Sequence, residues 1–204
     1  INLRLNTSSN NNAKNQQSKY IKSCINLVSK LTNTKYIIDK EVKGSFDLTK
    51  NFFITKDNAE AFLSHALYMT GYTKVPTNKG EWTIINARDV RYVSTPIFNF
   101  PKEKVPETYD YVMVYIKLKN KYMASEISRN FRPFMSRYGC IIDLKRPGTV
   151  IISDTGKNIN RLIKMIELID YKPSADEIEA REREKKNNLR LKMIKAQNCK
   201  EDKK

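Results

Sequence analysis

One short phrase occurs twice in this chain. Ile37-Ile38-Asp39 is followed, at the fifth residue after the aspartate, by Gly44, and Ile141-Ile142-Asp143 is followed at the same spacing by Gly148. In each copy the β-branched pair reads as a strand, the aspartate as its end and the glycine as a turn. The same elements recur around each copy: an amphipathic helix before it, a strand after it, then a second, capped helix. The pattern predicts a repeated βαββα unit, a mixed sheet with helices on one face. A chain of 204 residues has room for two such units, each burying a modest core. The expected fold class is α+β, two small mixed-sheet domains in series.

In the first half, Ile1 to Leu5 alternate apolar and polar residues, as a half-buried strand does. Thr7 to Ser18 is a polar run read as a loop. From Tyr20 onward, Ile21, Cys24, Ile25, Val28 and Leu31 make a helical stripe. Tyr36 to Ile38 and Phe46 to Leu48 read as strands on either side of the Val42-Lys43-Gly44 turn. Asp57, with Glu60 three residues on, has capping-box spacing for a helix that carries Ala59, Phe62, Leu63 and Ala66 and stops at Gly71. Tyr72 to Val75 and Trp82 to Ile85 flank Asn78-Lys79-Gly80, the pattern of a hairpin.

Pro96, Pro101 and Pro106 then interrupt both helix and central strand. The expected division is a first domain at 1–95, a linker at 96–109, a second domain at 110–172 and a charged helical or disordered tail at 173–204. Within the second domain, Tyr111 to Lys119 alternates as a strand. Ala124, Ile127, Phe131 and Phe134 form a helix kinked by Pro133 and ended by Gly139. Ile141-Ile142 and Val150 to Ile152 are strands around Pro147-Gly148. Asp154 is the expected cap of a helix with the stripe Ile159, Leu162, Ile163, Ile166 and Ile169.

The residues offer little chemistry. His65 is the only histidine and reads as a surface or packing residue. Cys24, Cys140 and Cys199 are widely spaced and odd in number, and Cys24 and Cys140 read as small buried hydrophobes. No phosphate-cradling glycine loop is present, Asp39 and Asp143 sit at strand ends as turn residues, and Ser136, Ser153 and Cys140 have no base beside them. No enzyme activity, cofactor or metal site is expected. No stretch approaches the ~20 apolar residues that span a bilayer. The first residue is Ile1, which points to a processed or trimmed terminus with any address signal out of view. The net charge of +16 suits nucleic acid, anionic lipid or an acidic protein, although a solvated lysine-rich surface also explains it.

Several phrases together resemble the periplasmic domains of the type II secretion secretin family. In the second half these are Phe131-Arg132-Pro133-Phe134-Met135-Ser136-Arg137-Tyr138-Gly139, Val150-Ile151-Ile152-Ser153-Asp154-Thr155, and Asn158-Ile159-Asn160-Arg161-Leu162 through Ile169-Asp170. In the first half they are Leu27 to Thr32, Tyr36 to Asp39, Val42 to Gly44, Ala61-Phe62-Leu63 through Gly71-Tyr72, and a closing strand at Trp82 to Ile85 and Ala87 to Asp89. The resemblance implies a first domain built like the signalling domains of outer-membrane receptors and a KH-like second domain. The first would dock on an inner-membrane assembly-platform protein by strand pairing along Asn2, Leu3, Arg4, Leu5 and Asn6, beside Phe46 and Leu48. The second would pack against other copies of itself in a ring, using Lys117, Lys119, Arg129, Arg132, Lys145 and Arg146. The two would form a vestibule at the periplasmic face of the outer membrane, through which secreted proteins reach a barrel in the same chain or a separate one. The equivalent place in an organelle of bacterial descent would be the intermembrane space.

Two departures stand out: the polar insertion at Thr7 to Ser18, and a charged stretch after Lys172 in the place of a third domain and a barrel. Such a chain is either a fragment or a vestibule encoded apart from its channel. The competing reading is a basic KH-like RNA-binding module with Tyr111 and Tyr115 as stacking residues. It lacks the GxxG loop with which that fold grips a backbone, so nucleic acid is not expected as a partner.

Overall fold

The helical stripe beginning at Ile21 becomes the floor of the first core. The computed structural model describes residues 3–4, 13–38, 40–44, 46, 53–78, 80–144 and 148–201. The first domain runs β1 (Leu3–Arg4), α1 (Ala13–Thr32), β2 (Lys35–Ile38), β3 (Phe53–Ile54), α2 (Lys56–Met69), β4 (Tyr72–Asn78) and β5 (Glu81–Asn86), closed by a 3₁₀ turn at Ala87–Tyr92. Ile21, Cys24, Ile25 and Val28 of α1 pack against Ala59, Leu63 and Leu67 of α2, with Val42, Ile54 and Ile84 completing the core. Burial in that apolar setting pushes the Cys24 thiol up to about 12, so it behaves as a small hydrophobe. The main sheet has the order β2-β5-β4, with β2 parallel and β4 antiparallel to β5, and β1 pairs with β3 in a separate antiparallel sheet.

The second domain runs β6 (Ile97–Phe100), β7 (Tyr111–Lys117), α3 (Ala124–Phe131), β8 (Cys140–Leu144), β9 (Thr149–Thr155) and α4 (Gly156–Ile169). Its sheet has the order β6-β7-β9-β8, with β6 parallel to β7 and the other pairs antiparallel. Alternate residues Val112, Val114, Ile116, Val150, Ile152 and Ile141 face one way, onto Ile127 and Phe131 of α3 and Ile159, Leu162 and Ile166 of α4. A last helix, α5 (Ala175–Glu201), starts in a reciprocal cap: Glu177 N–H donates to Ser174 Oγ and Ser174 N–H to Glu177 Oε2. Arg181 and Lys185 then lie over the Tyr122 ring. The chain is thus α+β, two small mixed-sheet domains in series.

Several expectations are corrected. Helix α1 begins at Ala13, inside the run read as a polar loop. Helix α2 starts at Lys56 because Asn58 Oδ1 accepts from Thr55 N–H at 2.8 Å, so the capping pair is Thr55 and Asn58, and Glu60 is left for other work. Phe46 is not in a strand, Leu48 lies outside the described residues, and the strand that pairs with β1 is Phe53–Ile54. Ala87 to Asp89 open the 3₁₀ turn rather than close a strand, since Asn86 Oδ1 caps Arg88 N–H. Ile97–Phe100, in the stretch read as a linker, is an edge strand. The flanking Pro96 and Pro101 sit at its ends, where a missing N–H costs least, and Phe98 and Phe100 pack on the core.

Two more corrections concern the second domain. Asp154 is not the cap of α4: Thr155 Oγ1 accepts from Asn158 N–H. The Asp154 carboxylate is wholly buried and accepts from Ser136 N–H, Thr155 N–H and Asn158 Nδ2. Gly139 is required beside it, because a Cβ there would run into that carboxylate. Cys140 is exposed, since on β8 it points opposite to Ile141. Finally, the βαββα order recurs but the strand pairing does not: β8 pairs with β9, whereas β2 pairs with β5.

Candidate docking surfaces and the domain junction

The strongest polar constellation joins the two domains. Lys74 on β4 is buried to 4% side-chain exposure, an expensive position for an ammonium unless it is paired. It is paired twice, with Glu60 of α2 and with Asp110, 3.7 Å away, and it also lies over the Trp82 ring at 4.8 Å. Tyr36 on β2 donates its hydroxyl to Glu60. Asp110, just before β7, accepts from Ser64 Oγ at 2.6 Å and Thr108 Oγ1 at 2.9 Å. Burial by itself would raise the Glu60 carboxyl, but the bonds from Lys74 and Tyr36 outweigh it and hold the group below its usual range. At Asp110 burial wins: its carboxyl is raised despite the Lys74 charge and the two hydroxyl bonds, and Oδ1 has no hydrogen-bond partner among the described residues.

The backbone around Asp110 tightens the same joint. Gly156 N–H donates to Asp110 O at 3.1 Å and Lys157 N–H to Thr108 O at 2.9 Å. Gly156 is needed because a Cβ would strike the Pro106 carbonyl. Tyr109, between the two polar residues, stacks on His65 of α2 at 4.3 Å with the planes 11° apart, and Tyr68 lies at 5.3 Å. Tyr111 is buried with Ala87 and Val90 of the first domain, its hydroxyl 3.1 Å from Ser136 Oγ. Thr108, Tyr109 and Asp110 therefore work as a clasp. His65 serves it as a packing partner, and sequence reasoning missed Lys74, Thr108 and Asp110. The legible signal was a lysine inside the strand Tyr72-Thr73-Lys74-Val75, where Thr73, Lys74 and Val75 are all buried.

Of the expected docking residues, Leu3 and Arg4 form β1, paired with Ile54 and Phe53. Asn2, Leu5, Asn6 and Leu48 lie outside the described residues. Phe46 packs edge-to-face on Phe62, with ring centroids 5.9 Å apart, in the first core. Of the expected ring residues, Lys117, Lys119, Arg129 and Arg132 are exposed, and Lys145 and Arg146 lie outside the described residues. The exposed four do not converge. Lys117 is level with Thr149 at the end of the sheet where Ser125, opening α3, bonds Asp143. Arg129 and Arg132 lie toward the other end, where Phe134 O meets Asn158 and Arg161.

The sheet face away from α3 and α4 is open and apolar. Across it run the rows Ile97, Met113, Ser153, Cys140 and Asn99, Tyr115, Ile151, Ile142, with Ile97 67% and Ile142 52% exposed. Tyr111 is enclosed against the first domain, whereas Tyr115 is half-buried on this open face, its hydroxyl accepting from Thr149 Oγ1. Among the described residues no group of acids, cysteines and histidine is placed to hold a metal ion, and no helix is long and apolar enough to cross a membrane.

Comparison with known proteins places this architecture. Residues 14–84 match the family model of the GspD-like N0 domain. The chain is 22% identical over 152 residues to Secretin OutD of Dickeya dadantii (strain 3937), covering 74% of this chain and 21% of that protein. It is 23% identical over 152 residues to Secretin OutD of Pectobacterium carotovorum subsp. carotovorum, covering 74% and 23%. It therefore spans about a fifth of the length of these curated relatives. Its fold matches a chain of the Klebsiella pneumoniae type II secretion system outer membrane complex of PulD, PulS and the PulC HR domain, with a TM-score of 0.62 at 20% identity over 74% of this chain and 25% of that one. None of these relatives supports the nucleic-acid reading. Residues 14–84 thus resemble a GspD-like N0 domain, and the chain is similar in sequence and fold to secretins of type II secretion systems.

Proposed function

We propose that the chain is a non-catalytic docking component of a type II secretion secretin, standing at the periplasmic face of the outer membrane. The observation that carries this reading is the GspD-like N0 match over residues 14–84, on a fold shared with a secretin outer membrane complex. The first domain binds an inner-membrane assembly-platform protein by adding a strand to β1, which among the described residues pairs only with β3. The presence of the PulC HR domain in the Klebsiella complex supports a partner of that kind. The second domain meets copies of itself in a ring, with Lys117, Lys119, Arg129 and Arg132 on its rim and its open sheet face available. Secreted proteins pass through this vestibule to an outer-membrane barrel.

In this division of labour the first domain takes the limits proposed from sequence, 1–95, and the second includes the edge strand β6 in addition to 110–172. The test is binding of the full chain to the purified periplasmic region of the platform protein from the same organism. Saturable binding, lost in Leu3→Pro because proline cannot donate to a strand ladder, is the expected result. No binding, or binding indifferent to Leu3→Pro, overturns the docking proposal. A ring requires self-association on crowding, and a strictly monomeric chain at high concentration by sedimentation sinks that part.

A further inference from the structure

Beside the clasp runs a groove of about 560 Å³. Tyr68 and Tyr109 line it, with Phe134, and along it lie Lys157, Arg161 and Lys164 of α4. The three cations are spaced four and three residues apart, so they share one face of the helix, opposite the buried Ile159, Leu162 and Ile166. All three are exposed, and none forms an ion pair with another described residue. Glu107 is the only acid lining the groove.

A cationic helix face is ordinarily just solvated. Here two of the three heads are held. Lys157 Nζ donates to Tyr109 Oη at 3.1 Å and sits 4.9 Å from that ring's centre, and Arg161 Nη2 donates to Phe134 O at 2.9 Å. Tyr109 is itself held by the stack on His65. The groove is therefore preorganised, which lowers the ordering cost of taking a ligand. Its chemistry is positive charge beside aromatic rings, with Ser136, Asn158 and Asn160 completing a polar lining.

We propose that this groove binds an acidic, extended segment of another protein, with an aromatic or large apolar residue set between its carboxylates. Charge complementarity carries the choice. The groove is short and its cations lie on one helix, whereas a nucleic acid calls for a longer track of phosphate contacts. The proposal uses none of the residues of the strand-pairing reading and stands or falls apart from it.

The probe is a fluorescein-labelled peptide, Glu-Asp-Glu-Phe-Asp-Glu, titrated with the full chain at low salt and read by anisotropy. Saturable binding is expected, weakened at least ~10-fold by the triple variant K157E/R161E/K164E, as the loss of several charge contacts predicts. The same charge change on α5, K186E/R190E/K192E, is expected to alter it less than ~2-fold, since those residues lie off the groove. Replacing the peptide phenylalanine by serine weakens binding if the aromatic wall is used. Absence of saturable binding, equal losses in the two triple variants, or tighter binding of a single-stranded RNA hexamer abolished by the groove triple would each overturn the proposal. Thermal melts confirm folding, and R161E/K164E replaces the triple should K157E disturb the clasp.

Discussion

The two domains spell the same order of elements and close their sheets differently. In the second, β8 turns back on its neighbour at Gly148, whose φ of +63° suits a tight turn, and four strands form one continuous sheet. In the first, β2 does not pair with the next strand in the chain. It runs parallel to β5, a strand supplied by the later hairpin, and β3 goes to β1 instead. The cores differ accordingly: the first is largely α1 against α2, the second is sheet against α3 and α4. The Ile-Ile pair of the phrase thus lies in an edge strand in both places. Its pairing partner is set by distant residues that can cover its other side. Substitutions that separate, weaken or expose the two halves test this contrast.

The largest effect is expected at the joint. Lys74→Met leaves Glu60 and Asp110 without their shared cation, and removing one partner from a buried ion pair costs about 3 kcal/mol. It is also expected to uncouple the domains, so that one denaturation transition becomes two, followed by intrinsic fluorescence and far-ultraviolet circular dichroism together. The pH dependence has a definite sign. Glu60, held low in the fold, stabilises above its unfolded pKa, and that contribution is lost as pH falls through its folded value. Asp110, held high, favours the fold only while protonated, and that contribution is lost as pH rises through its folded value. Without Lys74 both carboxyls move up. The stability gap between variant and parent should therefore be widest near pH 8 and shrink toward pH 4. A gap that widens on acidification would contradict the pairing.

Asp154→Ala comes next, at about 2 kcal/mol, because it strips acceptors from the Ser136 and Thr155 amides inside the second domain. In the Lys74→Met background the loss should fall on one transition only. An effect spread equally over both transitions would mean that the halves are not separable units.

Much of this was legible in local sequence. The stripes at Ile21 to Val28 and Ile159 to Ile166, the hairpin around Gly80 and the alternation from Tyr111 to Lys117 all arise from periodicity, and the structure keeps them. Boundaries failed where a side chain had a stronger claim elsewhere. Glu60 leaves the expected cap for Lys74 and Tyr36, and Asp154 leaves helix α4 to brace the turn at Ser136. The lysine inside the β4 pattern was the one local hint of the clasp; its pairing with Asp110 was illegible because the two meet only after both domains are built.

Smaller still are the caps, one per domain. Asn58→Ala removes the acceptor for Thr55 N–H at the start of α2, and Thr155→Ala the acceptor for Asn158 N–H at the start of α4. Each should cost about 1 kcal/mol. Amide hydrogen exchange should show faster exchange in the first turn of the affected helix alone. Loss of protection in both domains from either change would contradict the contrast between them.

The smallest effect on the monomer is expected at the paired edge positions themselves. Ile37 on β2 is 47% exposed and Ile142 on β8 is 52% exposed. Each already meets solvent, so Ile37→Ser and Ile142→Ser should each change unfolding free energy by less than about 0.5 kcal/mol. Their value lies in association. Ile142 belongs to a four-strand apolar face with Tyr115 and Ile151, whereas Ile37 has only Thr83 beside it on β5. If copies meet through the open face of the second domain, Ile142→Ser should weaken sedimentation-detected self-association and Ile37→Ser should not. Equal weakening by both would move the contact to strand edges common to the two domains, and no weakening by either would return the open face to solvent.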